Sequence, residues 1–115
     1  MTDLLQTVSA GPVDGLAPGD VLVLRDDPAL DGRRIAVFNA DGELFAVDDR
    51  CTHQEASLAD GFLEGCEVEC PLHASAFDLR TGVPSGPPAT KPIRTYPVAV
   101  ADGTILISIP AQAQA

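Results

Sequence analysis

Tryptophan is absent from this 115-residue chain, which also holds only one tyrosine, four phenylalanines and one methionine. A core must therefore be built from Val, Leu, Ile and Ala. Bases are scarce: seven Lys and Arg face seventeen Asp and Glu, for a formal net charge of −10. That balance disfavours nucleic acid and anionic membranes as partners. It suits docking on basic patches of other proteins, and equally it keeps the chain soluble. No apolar run approaches the ~20 residues of a membrane span. The start, MTDLLQTVSAG, has neither the basic flank nor the long apolar segment of a signal peptide, so a cytoplasmic protein is expected. Three cysteines are too few for a disulfide framework, and in a reducing compartment they point to metal binding or chemistry.

The length suits one domain with a modest core, and 45% apolar with 21% charged residues fits a globular protein. The pattern reads as all-β. DVLVLR (Asp20–Arg25) and RRIAVFNA (Arg33–Ala40) are rich in β-branched and aliphatic residues, and ELFAVDD (Glu43–Asp49) alternates in its first half. ADG at Ala40–Gly42 predicts a tight hairpin, and the same turn recurs at Ala101–Gly103 inside TYPVAVADGTILISI. Pro97 in that run predicts an edge strand or a strand start. GLAPGD (Gly15–Asp20) reads as loop, and EASLADG as at most one helical turn ending at Gly61. TGVPSGPPATKP (Thr81–Pro92) is too irregular for a strand and suits a stiff cover over a site. The tail, 111–115, is expected to fray.

What the chain does have is a pattern of thiols and imidazoles. Cys51-Thr-His53 is followed after sixteen residues by Cys70-Pro-Leu-His73, and these are its only histidines. Sulfur and imidazole nitrogen are both good ligands for iron and zinc. Structural zinc sites usually show two like pairs, whereas here each couple offers one sulfur and one nitrogen. Ligands as close as Cys51 and His53 fit two adjacent metals better than one tetrahedral centre. A zinc module remains the competing reading of the residues alone.

CTH…CPLH resembles the Rieske 2Fe–2S motif, C-x-H…C-x-x-H, with both halves present and correctly separated. Leu58 and Gly61 after the first couple, and FDLRTG (Phe77–Gly82) with its Pro-rich sequel after the second, agree with it. The resemblance implies an antiparallel β fold of stacked sheets with a small cluster-binding loop subdomain inserted in a β base. Residues 1–115 would form one domain, with 48–92 as the cluster-binding part and 1–47 and 93–110 as the base. It also implies one 2Fe–2S cluster, with Cys51 and Cys70 on the inner iron and His53 and His73 on the outer. Ser75 and Pro88 would support the cluster from nearby.

In such a cluster two ferric ions, two sulfides and two thiolates cancel to zero formal charge, and neutral imidazoles leave it there. Rieske centres accordingly lie at roughly −150 to +300 mV, well above all-cysteine clusters. High-potential members carry an extra cysteine in each loop. Here Leu72 and the run Gln54-Glu55-Ala56 exclude that disulfide. Ser75 matches the serine donor of those proteins, but Phe77 replaces their tyrosine. Fewer donors imply a low-potential centre, near or below ~0 mV. Cys66 falls outside the motif and reads as a small hydrophobe or free thiol. The nine acids between Asp41 and Glu69, against the single base Arg50, read mostly as solvated, with some placed to guide docking.

Both histidines are committed, so no second iron of a terminal oxygenase can be held. Nor is there a dinucleotide fingerprint. The chain is thus expected to be an electron carrier and not an enzyme. The resemblance is to the ferredoxin component of bacterial aromatic-ring dioxygenase systems, cytoplasmic carriers between an FAD-containing ferredoxin reductase and a terminal Rieske oxygenase. A Rieske-type small subunit of an enzyme complex, such as that of assimilatory nitrite reductase, is the alternative.

Overall fold

Ten β-strands and short 3-10 turns make up the regular structure of a computed structural model that describes residues 5–25, 30, 32–50, 56–71, 75–85 and 91–110. The strands are β1 (Leu5–Pro12), β2 (Val21–Leu24), β3 (Ile35–Ala40), β4 (Glu43–Asp48), β5 (Phe62–Glu64), β6 (Glu67–Glu69), β7 (Ala76–Asp78), β8 (Thr95–Tyr96), β9 (Val98–Ala101) and β10 (Thr104–Pro110). They form three antiparallel sheets, ordered β1-β10-β9, β2-β3-β4-β8 and β5-β6-β7.

The two Asp-Gly hairpins form as the sequence predicts. Asp41 and Gly42 both have positive φ, as do Asp102 and Gly103, which is the type I′ geometry matched to strand twist. Ala40 faces Glu43 across the first turn and Ala101 faces Thr104 across the second. The helical turn expected before Gly61 is the 3-10 turn Leu58–Asp60. Pro97 separates β8 from β9, and β9 is an edge strand. The tail expected to fray, 111–115, lies outside the described residues.

β3 explains the stacking. All six of its residues are buried, and they alternate between two cores. Ile35 and Val37 face a cluster with Val8, Tyr96, Ile105, Ile107 and Ile109, binding the central sheet to β1 and β10. Ala36, Phe38 and Ala40 face the other way, toward Leu58, Val68, Cys70, Phe77 and Ile93. The central sheet is thus covered on both faces, so the strand reads as a continuous apolar run. Phe77, fully buried, heads the largest enclosed side chains, so a core of only Val, Leu, Ile and Ala was too narrow an expectation.

Candidate metal centre

Cys51, His53, His73 and Pro88 lie outside the described residues, whereas Cys70 and Ser75 lie within them. No group of three metal-capable side chains forms among the described residues. What is described is the frame from which the two ligand segments depart.

The first segment leaves the end of β4 and returns where Arg50 bridges Ser57 in antiparallel fashion. The second leaves β6 and enters β7, with Glu69 opposite Ala76 and the Cys70 amide donating to the Ser75 carbonyl at 2.8 Å. Leu63, Val68 and Phe77 stand in register across β5, β6 and β7, with Val68 and Phe77 fully buried in the core and Leu63 partly buried against it. Ala56 and Leu58, just past the first segment, share that core with Cys70. Hydrophobic burial therefore draws the frames of both segments against one surface.

Close backbone approach fixes their spacing. At Gly61 an added Cβ would stand 2.0 Å from the Glu69 carbonyl oxygen, and at Gly82 it would stand 2.0 Å from that of Ile93. Gly82 also has φ +80, which only glycine adopts freely. Gly61→Ala must push β6 away beside Cys70, so thermal unfolding should show a loss of roughly 1–3 kcal/mol. The same variant should bind less iron per chain. Parental stability and iron content would refute the close-approach argument.

Asp49 is the residue that sequence reasoning misplaced. Grouped there with solvated acids, it is in fact wholly buried. Its carboxylate accepts from Arg34 Nε at 2.8 Å, from Ser57 Oγ at 2.6 Å and from the Ala59 amide at 2.8 Å. Its amide donates to the Arg34 carbonyl, and its own carbonyl accepts from the Leu58 amide. A buried charge is tolerable only when paired and bonded in this way. Asp49 ties β3, β4 and the return of the first segment into one knot, two positions before Cys51. The signal that could have found it is a basic residue just before one strand of a predicted hairpin and an acid just after the other. By contrast Glu64, Glu67 and Glu69 do stand exposed on the outer face of the small sheet.

Next to Asp49, the Tyr96 hydroxyl donates to Asp48 at 2.5 Å. Burial, followed by this bond and the Asp48 charge, pushes the phenol well above its ordinary value, against a lowering by Arg33 and Arg94. Because the folded state holds the neutral phenol, its contribution is complete below about pH 10 and is lost as pH rises further. Tyr96→Phe should cost about 1–2 kcal/mol at neutral pH, and should flatten the alkaline decline expected in denaturant unfolding. An unchanged alkaline limb would contradict this assignment.

Cys70 is 1% exposed and Ser75 likewise. Phe77, at the position where high-potential Rieske proteins carry tyrosine, turns its ring into the core and brings no hydroxyl. Cys66 sits in the β5–β6 turn, half-buried, as a free thiol packed against the core. The described donor chemistry fits an iron–sulfur group: a buried soft thiol at a strand end, with a buried serine beside it.

Stacked antiparallel sheets carrying a small three-stranded sheet with a buried Cys70 at its tip define a Rieske-type iron–sulfur protein. The Rieske [2Fe-2S] domain family matches residues 7–97, and the chain belongs to it. It carries one Rieske-type 2Fe–2S cluster and is an electron carrier rather than a catalyst. It is 43% identical over 107 residues to the 3-phenylpropionate/cinnamic acid dioxygenase ferredoxin subunit of Escherichia coli K12, covering 92% of this chain and 96% of that one. The solved ferredoxin of Sphingomonas yanoikuyae B1 superposes with a TM-score of 0.82 at 35% identity, covering 91% of this chain and all of that one. A chain from a complex of reduced oxygenase and oxidized ferredoxin in carbazole 1,9a-dioxygenase gives 0.80 at 31%, covering 87% and 99%. The Mycobacterium tuberculosis protein described as a putative NADH-dependent nitrite reductase small subunit gives 0.81 at 26%, covering 96% and 100%.

Proposed function

We propose that Cys51 and Cys70 bind the inner iron and His53 and His73 the outer iron. The protein then carries single electrons from an FAD-containing ferredoxin reductase to the terminal Rieske oxygenase of an aromatic-ring dioxygenase system in the cytoplasm. Residues 48–92 serve as its cluster-binding part, with Ser75 and Pro88 supporting the cluster. When bound, the cluster supplies one reversible electron at a time.

The observation that carries this reading is 43% identity, over nearly the full length of both chains, to a dioxygenase ferredoxin subunit. Shape alone does not separate the carrier from the enzyme-complex subunit, because TM-scores of 0.82 and 0.81 are equivalent. Sequence favours the carrier, at 35% against 26% in the same two superpositions. The test is reconstitution with reductase and oxygenase candidates encoded nearby. Reductase-dependent reduction of this protein, followed by oxygenase turnover, is expected. Elution of the native protein only within a large enzyme complex would overturn the carrier reading. The buried Phe77 in place of a hydroxyl donor supports a midpoint near or below ~0 mV, which protein-film voltammetry reads directly.

A further inference from the structure

The Asp49 knot depends on a carboxylate: Oδ2 accepts from Arg34 Nε and Oδ1 from the Ala59 amide, so an amide of the same shape would turn a donor onto one of them, and the charge is buried there. The carboxylate is wholly enclosed, while the side chain of its ionic partner among the described residues, Arg34, remains 28% exposed. Solvent screens the arginine far more than the aspartate, so the pair presents a net negative field to the protein interior. Asp49 precedes Cys51 by two positions, and its bonded partners Ser57 and Ala59 flank Ala56 and Leu58, which pack in the same core as Cys70.

Resting on the ligand reading above, we propose that the Asp49 carboxylate, only partly offset by Arg34, holds down the reduction potential of the cluster. Reduction adds one electron to a cluster of zero formal charge, and a buried negative charge two positions from one of its ligands disfavours that step. Asp49 thereby acts as a positioning and potential-setting residue through the Cys51 and Cys70 end, not as a ligand. The screened arginine opposes it with a smaller effect.

The test compares Asp49→Asn, Arg34→Gln and Arg34→Lys as holoproteins by protein-film voltammetry, with the reduced Rieske electron paramagnetic resonance signal confirming the cluster in each. Asp49→Asn should favour the reduced form about tenfold, an upward shift of about 59 mV for a one-electron couple. Arg34→Gln should shift it downward by a smaller factor, and Arg34→Lys, which keeps the charge, should stay near the parent. Both variants break the same ion pair, and Asp49→Asn also turns an NH2 onto one of the knot's N–H donors; a role through the structure of the ion pair alone would move both potentials in one direction or neither. Either of those results overturns the proposal. Should Asp49→Asn fail to retain its cluster, the Arg34 variants decide alone: a downward shift in Gln but not Lys supports the charge effect, and its absence refutes it. A parent protein without the Rieske signal would instead sink the ligand assignment.

Discussion

Cys70→Ser is expected to yield a colourless protein without acid-labile sulfide. A serine oxygen is a hard donor that stays protonated near neutral pH, whereas a thiolate is the soft, charged ligand an iron–sulfur cluster needs. The position also offers no ready substitute: Cys70 is enclosed at the end of β6, and among the described residues the other free thiol packed on that core is the turn residue Cys66. Cys66→Ser should therefore remain brown, with the parental reduced spectrum. Changing His53 or His73 to Cys should disturb potential or assembly, because each replaces a neutral ligand with a charged one. Iron and sulfide analysis with visible spectra checks all four. Equal damage from Cys66→Ser and the others would mean the ligand set is wrong.

The largest loss of stability is expected from Asp49→Ala. Truncation strands the Ser57 hydroxyl and the Ala59 amide, opens a cavity, and leaves the Arg34 guanidinium without its partner. A buried charge network broken in this way costs about 3 kcal/mol, a large share of the 5–15 kcal/mol that holds a typical domain together. Urea unfolding of the apoprotein would measure it apart from cluster loss. The holoprotein should also lose iron faster, since Asp49 fixes the return of the first ligand segment. A loss under about 1 kcal/mol would show that Asp49 is not the knot described.

How much of this could be read without coordinates follows from how local each cause is. The two hairpins were legible because Asp41-Gly42 and Asp102-Gly103 carry their own positive-φ geometry. β2, β3 and β4 were legible to within one or two residues from their aliphatic runs. β1 was not, because its pairing with β10 joins opposite ends of the chain and no turn announces it. Its register even shifts between Ser9 and Gly11. The β5-β6-β7 sheet was also missed. Its strands are three residues long and rich in glutamate, a composition that favours strands poorly. They exist because Leu63, Val68 and Phe77 line up against a core already made by β3.

Residue identity and spacing alone determined the family and the kind of cluster, because ligand softness and charge belong to the side chains themselves. Tertiary structure decided which acid is buried, which glycines allow close approach, and where Cys70 lies relative to the return of the first segment. Those outcomes depend on pairing strands distant in sequence and on excluding water between them. No local pattern encodes the dielectric that Asp49 meets once β3, β4 and the Ser57 return close around it.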